Sequence, residues 1–258
     1  MARMMIAGNW KMHHGPMETS EFIENLKEKY DEAPAVEAVI CPPFVSLPTL
    51  VEAAPRWLKI GAQNVFYEES GAFTGEISPK MLAEIGVDYV IVGHSERRHI
   101  FKEGDDDVNQ KTCVVLKYGL CPIICVGETQ EERENGITKA VIDRQVRTAL
   151  SEVALDTLKQ VVFAYEPVWA IGTGKAATAE DAEQACRQIK EILKELGGQD
   201  KSEEIPILYG GSVKPENLAE FIKKDNIDGA LVGGKSLQAK AFCQLIQVAV
   251  ENNEAEAQ

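Results

Sequence analysis

Short apolar runs bounded by turn residues recur along the whole chain, at a mean interval of about 32 residues, close to the length of one β–α–β unit. The runs are nearly continuous in Val, Ile, Leu and Ala, which is typical of strands that are buried on both faces. There are eight of them, beginning near Met4, Val36, Leu58, Tyr89, Cys121, Val161, Ile205 and Gly229. Strands that alternate regularly with helical segments predict an α/β fold with a parallel sheet.

Helical segments between these runs have apolar residues at three- and four-residue spacing. Thr178 and Asp181 are spaced as a capping box at the start of one helix, and Gly197-Gly198 predicts where it ends. Its apolar face consists of Ala182, Ala185, Ile189, Ile192, Leu193 and Leu196. The same spacing predicts a last helix over residues 242–250, and we expect the polar tail at about 251–258 to be frayed.

No linker rich in Pro or Ser and no block of charge divides the chain, which predicts one domain over residues 1–258. Eight strand–helix units in roughly 250 residues match the size of a (β/α)8 barrel. An open doubly wound sheet has the same alternation, and the number of strands does not by itself exclude it. The first strand lacks a Gly-x-Gly-x-x-Gly motif, which weakens a dinucleotide-binding interpretation. We therefore predict a single-domain (β/α)8 barrel with eight parallel strands.

The formal net charge of −14 argues against partners that bind through general attraction to basic proteins, namely nucleic acids and anionic membranes. A small anionic substrate is compatible with it, because lysines and helix N-termini can make a single pocket positive. No apolar run approaches the roughly 20 residues of a membrane span, and the N-terminus resembles no signal peptide. We expect no nucleic acid partner, no membrane association and a cytoplasmic location.

The six cysteines and four histidines do not have the spacing of a metal site. Cys121 and Cys125 lie inside an apolar run and are expected to be buried strand thiols. A disulfide framework is not expected in a chain of this size without an export signal. These observations predict reduced cysteines, no metal and no cofactor.

Functional groups of a (β/α)8 barrel lie at the carboxyl ends of the strands and in the loops that follow them. The apolar run over residues 161–165 ends at Glu166, and a loop with Gly172 and Gly174 comes next. A carboxylate at the mouth of a buried strand, beside a movable segment, suits a base that abstracts a proton under a closing lid. An ordinary strand–helix connection with a solvated Glu is the alternative.

Other predicted strand ends are rich in glycine or in polar residues. Gly210-Gly211 and Gly233-Gly234 follow neighbouring strands, where backbone N–H groups could approach a phosphate closely; the alternative is that they only make tight turns. Lys11 places a charge at a strand end, and could be a surface lysine, a structural ion pair or a cation for an anionic substrate.

Several of these segments resemble motifs of the triosephosphate isomerase family, in the same order and spacing from residue 3 to about 250. They are Ala7-Gly8-Asn9-Trp10-Lys11-Met12, Gly71-Ala72-Phe73-Thr74-Gly75-Glu76, Val92-Gly93-His94-Ser95-Glu96-Arg97-Arg98, Ala164-Tyr165-Glu166-Pro167-Val168-Trp169-Ala170-Ile171-Gly172-Thr173-Gly174, Tyr209-Gly210-Gly211-Ser212-Val213 and Leu231-Val232-Gly233-Gly234. The resemblance implies a TIM barrel. It also implies an aldose–ketose isomerase of glycolysis and gluconeogenesis, which interconverts D-glyceraldehyde 3-phosphate and dihydroxyacetone phosphate through an enediolate.

The resemblance also implies a catalytic set. Glu166 would be the base, and His94 a neutral imidazole that polarises the carbonyl, its pKa kept low by a backbone donor of the short helix that follows. Lys11 would be a cation for the phosphate and the developing oxyanion, with Glu96 as its buried partner. Asn9 would donate its amide to the substrate beside the histidine.

Three further groups follow from the same resemblance. Triose phosphate would bind to Asn9, Lys11, Gly172, Ser212, Gly233 and Gly234. A lid would consist of Val168, Trp169, Ala170, Ile171, Gly172, Thr173, Gly174 and Lys175. An obligate homodimer would form through the loop of Thr74, Gly75 and Glu76, which enters the other subunit beside Lys11, while Gln63 and Asn64 would orient catalytic groups or pack the interface.

One residue departs from the family pattern, because Lys235 stands where a small residue is usual. We expect it to extend outward at the rim; the alternative is that it raises the local positive potential and alters phosphate affinity. Two other classes of function are alternatives. A non-catalytic barrel that binds sugar phosphates is disfavoured, because all the polar groups of the chemistry are present. A barrel acting on a larger sugar phosphate is disfavoured by the short lid and by the lack of long insertions at strand ends.

Overall fold

The computed structural model describes residues 2–30, 34–170 and 177–256. Eight parallel strands pair in chain order and close into a barrel, with β8 against β1. They are β1 (Met5–Asn9), β2 (Glu37–Cys41), β3 (Lys59–Ala62), β4 (Tyr89–Val92), β5 (Cys121–Val126), β6 (Val162–Tyr165), β7 (Ile207–Tyr209) and β8 (Gly229–Val232). The (β/α)8 barrel is confirmed, and closure excludes the open doubly wound sheet.

Helices surround the barrel and connect successive strands. The described α-helices are α1 (Pro16–Lys27), α2 (Leu47–Ala53), α3 (Pro79–Ile85), α4 (Ser95–His99), α5 (Asp105–Lys117), α6 (Gln130–Glu134), α7 (Thr138–Ala149), α8 (Ala179–Gly197), α9 (Gln199–Glu204), α10 (Leu218–Ile222) and α11 (Ala239–Glu256). Short 3-10 helices lie at Phe44–Ser46, Leu158–Gln160, Val168–Ala170 and Gly234–Leu237. Among the described residues, no helix combines the length and the apolar composition that crossing a membrane would require.

Both faces of the strands are buried, which explains their nearly continuous apolar sequence. One set of strand residues fills the inside of the barrel, namely Met5, Ala7, Val39, Cys41, Tyr89, Ile91, Ile123, Cys125, Val162, Ala164, Leu208 and Leu231. The alternate residues, such as Ile6, Ile40 and Phe163, pack against the helices in a second and larger cluster. The charged and polar groups of the strands are thereby confined to the two ends of the barrel.

Local signals in the sequence are confirmed at α8. The Thr178 hydroxyl accepts the backbone N–H of Asp181, whose carboxylate accepts that of Thr178, and Gly198 caps the end of the helix. Helix α11 extends beyond the predicted residues 242–250, as far as Glu256. Within this extension Asn252 is buried, and its side-chain amide donates to the carbonyl of Ile222. Fraying of the tail at about 251–258 stays a prediction.

Closure of the barrel leaves no room for a side chain at Gly229, where φ is +145° and a Cβ atom would overlap the Met5 carbonyl oxygen of the paired strand. We expect Gly229→Ala to lower the free energy of unfolding by roughly 2–5 kcal/mol, because the backbone atom cannot rotate away. Urea denaturation measures the loss. Gly104→Ala is the matched control, since φ is −87° there and the nearest atom is a flexible Asp107 oxygen at 3.7 Å. Equal losses in the two variants would contradict this constraint.

Candidate active site

Glu166 and His94 meet at the carboxyl end of the barrel. Glu166 directly follows β6, His94 is the second residue after β4, and their side chains are buried. Oε1 of Glu166 lies 2.9 Å from Nε2 of His94. The carboxylate also accepts the backbone N–H of Ser95 at 2.8 Å and its hydroxyl at 3.2 Å. The core of the candidate site is therefore a buried carboxylate with three polar contacts, one of which is to the imidazole ring of His94.

Two glycines make the position of Glu166 possible. Its backbone N–H donates to the Val126 carbonyl at 2.8 Å, which continues the strand pairing. A Cβ atom at Gly127 would overlap the Glu166 carbonyl, and one at Gly210 would lie 2.9 Å from its Cγ. Any larger residue at either position would push the carboxylate away from the histidine.

His94 is the N-cap of the short helix α4, and Nδ1 of its ring accepts the backbone N–H of Glu96 at 3.2 Å. A nitrogen that accepts carries no proton, so in the neutral ring the proton is on Nε2, which donates to Glu166. The backbone donor expected from the sequence is therefore present. It orients the ring so that one N–H faces the mouth of the barrel.

The pKa values of the pair move in opposite directions. Burial lowers the pKa of His94, but the Glu166 carboxylate raises it by more, so the net pKa is above the ordinary value. Burial raises the pKa of Glu166, but the His94 ring and the Ser95 N–H outweigh it, so the net pKa is below the ordinary value. The expectation of a low pKa for His94 is wrong for this arrangement, because the carboxylate contacts the ring directly.

Lys11 forms the predicted ion pair with Glu96, with Nζ 2.7 Å from Oε1. The expectation that this pair is buried is wrong, because the two side chains keep 30% and 41% of their exposure at the mouth of the barrel. The backbone of Lys11 has a φ of +52°, and its N–H donates to Oδ1 of Asn9 at 3.0 Å. The amide nitrogen of Asn9 is then the part of that side chain that could donate to a substrate.

The predicted orienting residues divide in two. Nε2 of Gln63 donates to the carbonyls of Lys11 and Cys41 at 2.8 and 2.9 Å, so it fixes the loop after β1. Asn64 instead accepts a hydrogen bond from the buried Lys111 at 2.9 Å. Gln63 therefore supports the candidate site directly, and Asn64 contacts helix α5 instead.

The glycine-rich ends of β7 and β8 lie on adjacent strands, as predicted. A Cβ atom at Gly233 would lie 3.6 Å from Cε of Lys11, so the lysine side chain passes next to this loop. Ser212 and Gly234 are exposed at the same end of the barrel, and so is Lys235. An anion placed there could contact the lysine and backbone N–H groups together.

The described start of the predicted lid is a 3-10 helix, Val168–Ala170. Nε1 of Trp169 donates to the carboxylate of Glu128 at 2.9 Å, and the Tyr165 hydroxyl donates to the same carboxylate at 3.1 Å. The Arg133 guanidinium lies 4.2 Å from the centre of the Trp169 ring. The other predicted lid residues, Ile171, Gly172, Thr173, Gly174 and Lys175, lie outside the described residues.

Comparisons with known proteins agree with this geometry. Residues 4–249 match the family model described as triosephosphate isomerase. The chain is 65% identical over 249 residues to a triosephosphate isomerase of Natranaerobius thermophilus, covering 96% of this chain and 97% of that protein. It is 49% identical over 248 residues to a triosephosphate isomerase of Carboxydothermus hydrogenoformans, covering 96% and 99%. The chain belongs to the triosephosphate isomerase family.

Membership of the triosephosphate isomerase family confirms the resemblance identified from the motifs. The sequence reasoning missed Glu128, a fully buried carboxylate that holds Trp169, and Gly127, which makes room for Glu166. Both directly follow strand β5. Their position at the carboxyl end of a predicted strand could therefore have marked them as candidate site residues, although the segment is not among the family motifs identified in the sequence.

The two pKa shifts predict a pH dependence. A carboxylate with a lowered pKa stabilises the fold above its unfolded value of about 4.3, and this is lost as the pH falls through the folded pKa. A histidine with a raised pKa stabilises the fold below its unfolded value of about 6.5, and this is lost as the pH rises through the folded pKa. The Glu166–His94 contact therefore contributes most between about pH 4.3 and 6.5.

We expect an NMR titration to give His94 a pKa above about 6.5 in the native protein and a lower pKa in Glu166→Gln. Burial remains in the variant, but the carboxylate that raises the pKa is removed. His94→Gln identifies the resonance by its loss. An unchanged His94 titration in Glu166→Gln would show that the carboxylate does not set the charge of the ring.

Proposed function

We propose that the Glu166–His94–Lys11 cluster catalyses the reaction for which the family is named, the interconversion of D-glyceraldehyde 3-phosphate and dihydroxyacetone phosphate. This places the chain in glycolysis and gluconeogenesis as an isomerase. The observation that carries the proposal is the buried carboxylate of Glu166, 2.9 Å from a ring nitrogen of His94 at the mouth of the barrel. An isomerase of this kind needs a base beside a donor for the carbonyl oxygen.

Glu166 is the base in this proposal. It removes a proton from the carbon next to the carbonyl group; the electrons of that C–H bond form the carbon–carbon double bond, and the π electrons of the carbonyl group move to its oxygen, which gives the enediolate. The proton is then returned to the former carbonyl carbon, while the hydroxyl group on the neighbouring carbon becomes the new carbonyl and its proton passes to the other oxygen. Burial removes water from around the carboxylate, which strengthens it as a base. Its backbone is fixed by strand pairing, so the side chain alone has to move.

His94 supplies the electrophile through Nε2. A substrate carbonyl oxygen that accepts from Nε2 takes the place that Glu166 holds on the ring. Once the carboxylate is released, burial raises the pKa of Glu166 and lowers the pKa of His94. A single exchange of hydrogen-bond partners thus makes the carboxylate more basic and keeps the imidazole neutral.

Lys11 carries the positive charge that the enediolate and the phosphate require, and Glu96 holds its ammonium group. Asn9 donates its amide to the substrate oxygen. The phosphate is held by Ser212 and by backbone N–H groups of Gly172, Gly233 and Gly234. The side chain of Lys11 passes next to Gly233. The reaction needs no cofactor or metal, since proton transfers alone complete it.

A lid made of residues 168–175 closes over the substrate and excludes water, which protects the enediolate from losing its phosphate. Support comes from Trp169, which is held by a hydrogen bond to the buried Glu128 and by contact with Arg133. These bonds can be exchanged without unfolding a strand. We also propose that residues 1–258 act as one domain, and that the protein is cytoplasmic, since its six cysteines are free thiols.

We further propose a homodimer through the loop of Thr74, Gly75 and Glu76, which is exposed and follows β3. Exposed large apolar side chains lie on the loops after four adjacent strands, β1 to β4, with exposures of 42–93%; they are Met12, Val45, Phe73, Ile100 and Phe101. Such a patch on one side of the barrel mouth favours a protein partner. A second copy places Thr74 beside Lys11 of its neighbour.

We expect Glu166→Gln to lower kcat/KM by several orders of magnitude, from a value near the ~10⁸ M⁻¹ s⁻¹ diffusion range, because an amide cannot accept the proton. The measurement is isomerisation of D-glyceraldehyde 3-phosphate, with Glu52→Gln, an exposed carboxylate on α2, as control. Competitive inhibition by inorganic phosphate should persist in Glu166→Gln. A native protein that binds phosphate without isomerising triose phosphates would favour a binding protein, and turnover only of larger sugar phosphates would favour the third class.

Light scattering should give twice the 28.4-kDa chain mass for the native protein. Val45→Glu should shift the mass to that of one chain, because it places a charge in the apolar patch. Leu155→Glu is the matched control, since Leu155 is 55% exposed but lies outside the loops after β1 to β4. An active native monomer would overturn the dimer proposal.

A further inference from the structure

The loop after β8, residues 233–237, is closed on itself and tied to the loop after β1. Within the loop, the backbone N–H and the hydroxyl of Ser236 donate to the Gly233 carbonyl at 2.9 and 2.7 Å. Its last two carbonyls accept from side chains of the β1 loop. Nε1 of Trp10 donates to Ser236 at 3.0 Å, and Nε2 of His14 contacts the carbonyl oxygen of Leu237 at 2.9 Å.

His14 is itself fixed from three sides. Its ring stands edge-on to Trp10, with centroids 4.9 Å apart and an angle of 88° between the planes. Its carbonyl accepts the hydroxyl of the buried Ser46, in the loop after β2, at 2.8 Å. A carbonyl oxygen can only accept a hydrogen bond, so Nε2 of His14 is protonated and donates to the Leu237 carbonyl. The residue therefore joins the loops after β1, β2 and β8.

The backbone of His14 supports this interpretation. Its φ is +64°, in the left-handed region where residues other than glycine are uncommon and cost free energy. The left-handed conformation thus falls on His14 and not on the adjacent glycine, Gly15. A strained backbone persists where surrounding contacts hold it, and here the contacts are the ring on Trp10 and the bonds to Leu237 and Ser46.

We propose that His14 is a positioning residue for the phosphate site. It holds the end of the β8 loop so that the N–H groups of Gly233 and Gly234 stay aimed at the phosphate dianion. This inference rests on the proposed phosphate site. His14 does not contact the reacting carbons, so its effect is confined to substrates that carry a phosphate.

Two variants remove the ring and still suit the left-handed backbone, namely His14→Asn and His14→Gly. We expect each to raise the KM for D-glyceraldehyde 3-phosphate and the inhibition constant of inorganic phosphate about three- to tenfold, the effect of one lost hydrogen bond. The kcat should fall by less. Slow isomerisation of D-glyceraldehyde, which has no phosphate, should be unchanged. His14→Gln, whose amide can donate to Leu237, should restore part of the phosphate affinity.

His13→Asn is the matched control, since His13 is the exposed neighbour in the same loop. Unchanged phosphate inhibition in both ring-deleting variants would overturn the role of His14. Equal losses of isomerisation activity with D-glyceraldehyde and with D-glyceraldehyde 3-phosphate would also overturn it, because they would indicate general damage to the site. A native protein that inorganic phosphate does not inhibit would instead overturn the proposed phosphate site itself. The two failures are therefore distinguishable.

Discussion

Closure of the sheet between β8 and β1 is the constraint on which the rest of the molecule depends. It places Gly229 against Met5 at one end of the barrel, with no space for a side chain. At the other end the same pairing brings the first and last loops of the barrel together, although more than two hundred residues separate them in the chain. Lys11 can lie beside Gly233 only because the sheet closes. The base, the imidazole and the lysine are then carried by strands that share one rim.

The closed barrel also determines the electrostatics of that rim. Both faces of each strand are apolar and buried, so a carboxylate at a strand end is surrounded by groups that cannot solvate it. Glu166 and Glu128 are both almost fully buried, and each is stabilised by donors on neighbouring loops. Although the chain carries a charge of −14, the proposed anion site depends on the local cation Lys11 and on nearby backbone N–H groups.

Much of this was accessible from the sequence, because strands buried on both faces have a distinctive composition and each of the eight was predicted near its observed start. Closure was predicted as well, from the number of strand–helix units and from the family resemblance. The composition of the strands alone left an open sheet as the alternative, because it does not show that β8 pairs with β1. The burial of Glu96 was predicted wrongly, since the sequence shows that a partner for Lys11 exists but not how far both project from the rim. Glu128 and Gly127 were missed because their roles arise from contacts with β6 and its loop. Helix α11 extends beyond the predicted residues 242–250, and the contact of Asn252 with a carbonyl of α10 is one that apolar spacing does not reveal.

The contact between Glu166 and His94 links the resting geometry to the proposed chemistry. A carboxylate paired with an imidazole is too stable to be a strong base, and an imidazole beside a carboxylate is too easily protonated to be a neutral donor. Both disadvantages come from the direct contact between the carboxylate and Nε2. A substrate carbonyl oxygen that accepts the hydrogen bond of Nε2 would remove this contact. The backbone N–H of Glu96 donates to Nδ1 and so keeps the proton of the neutral ring on Nε2, the nitrogen that faces the substrate in the proposed mechanism. In the proposed mechanism, substrate binding is therefore the event that activates both groups. The free energy it requires would come from binding of the phosphate at the loops after β7 and β8, away from the reacting carbons.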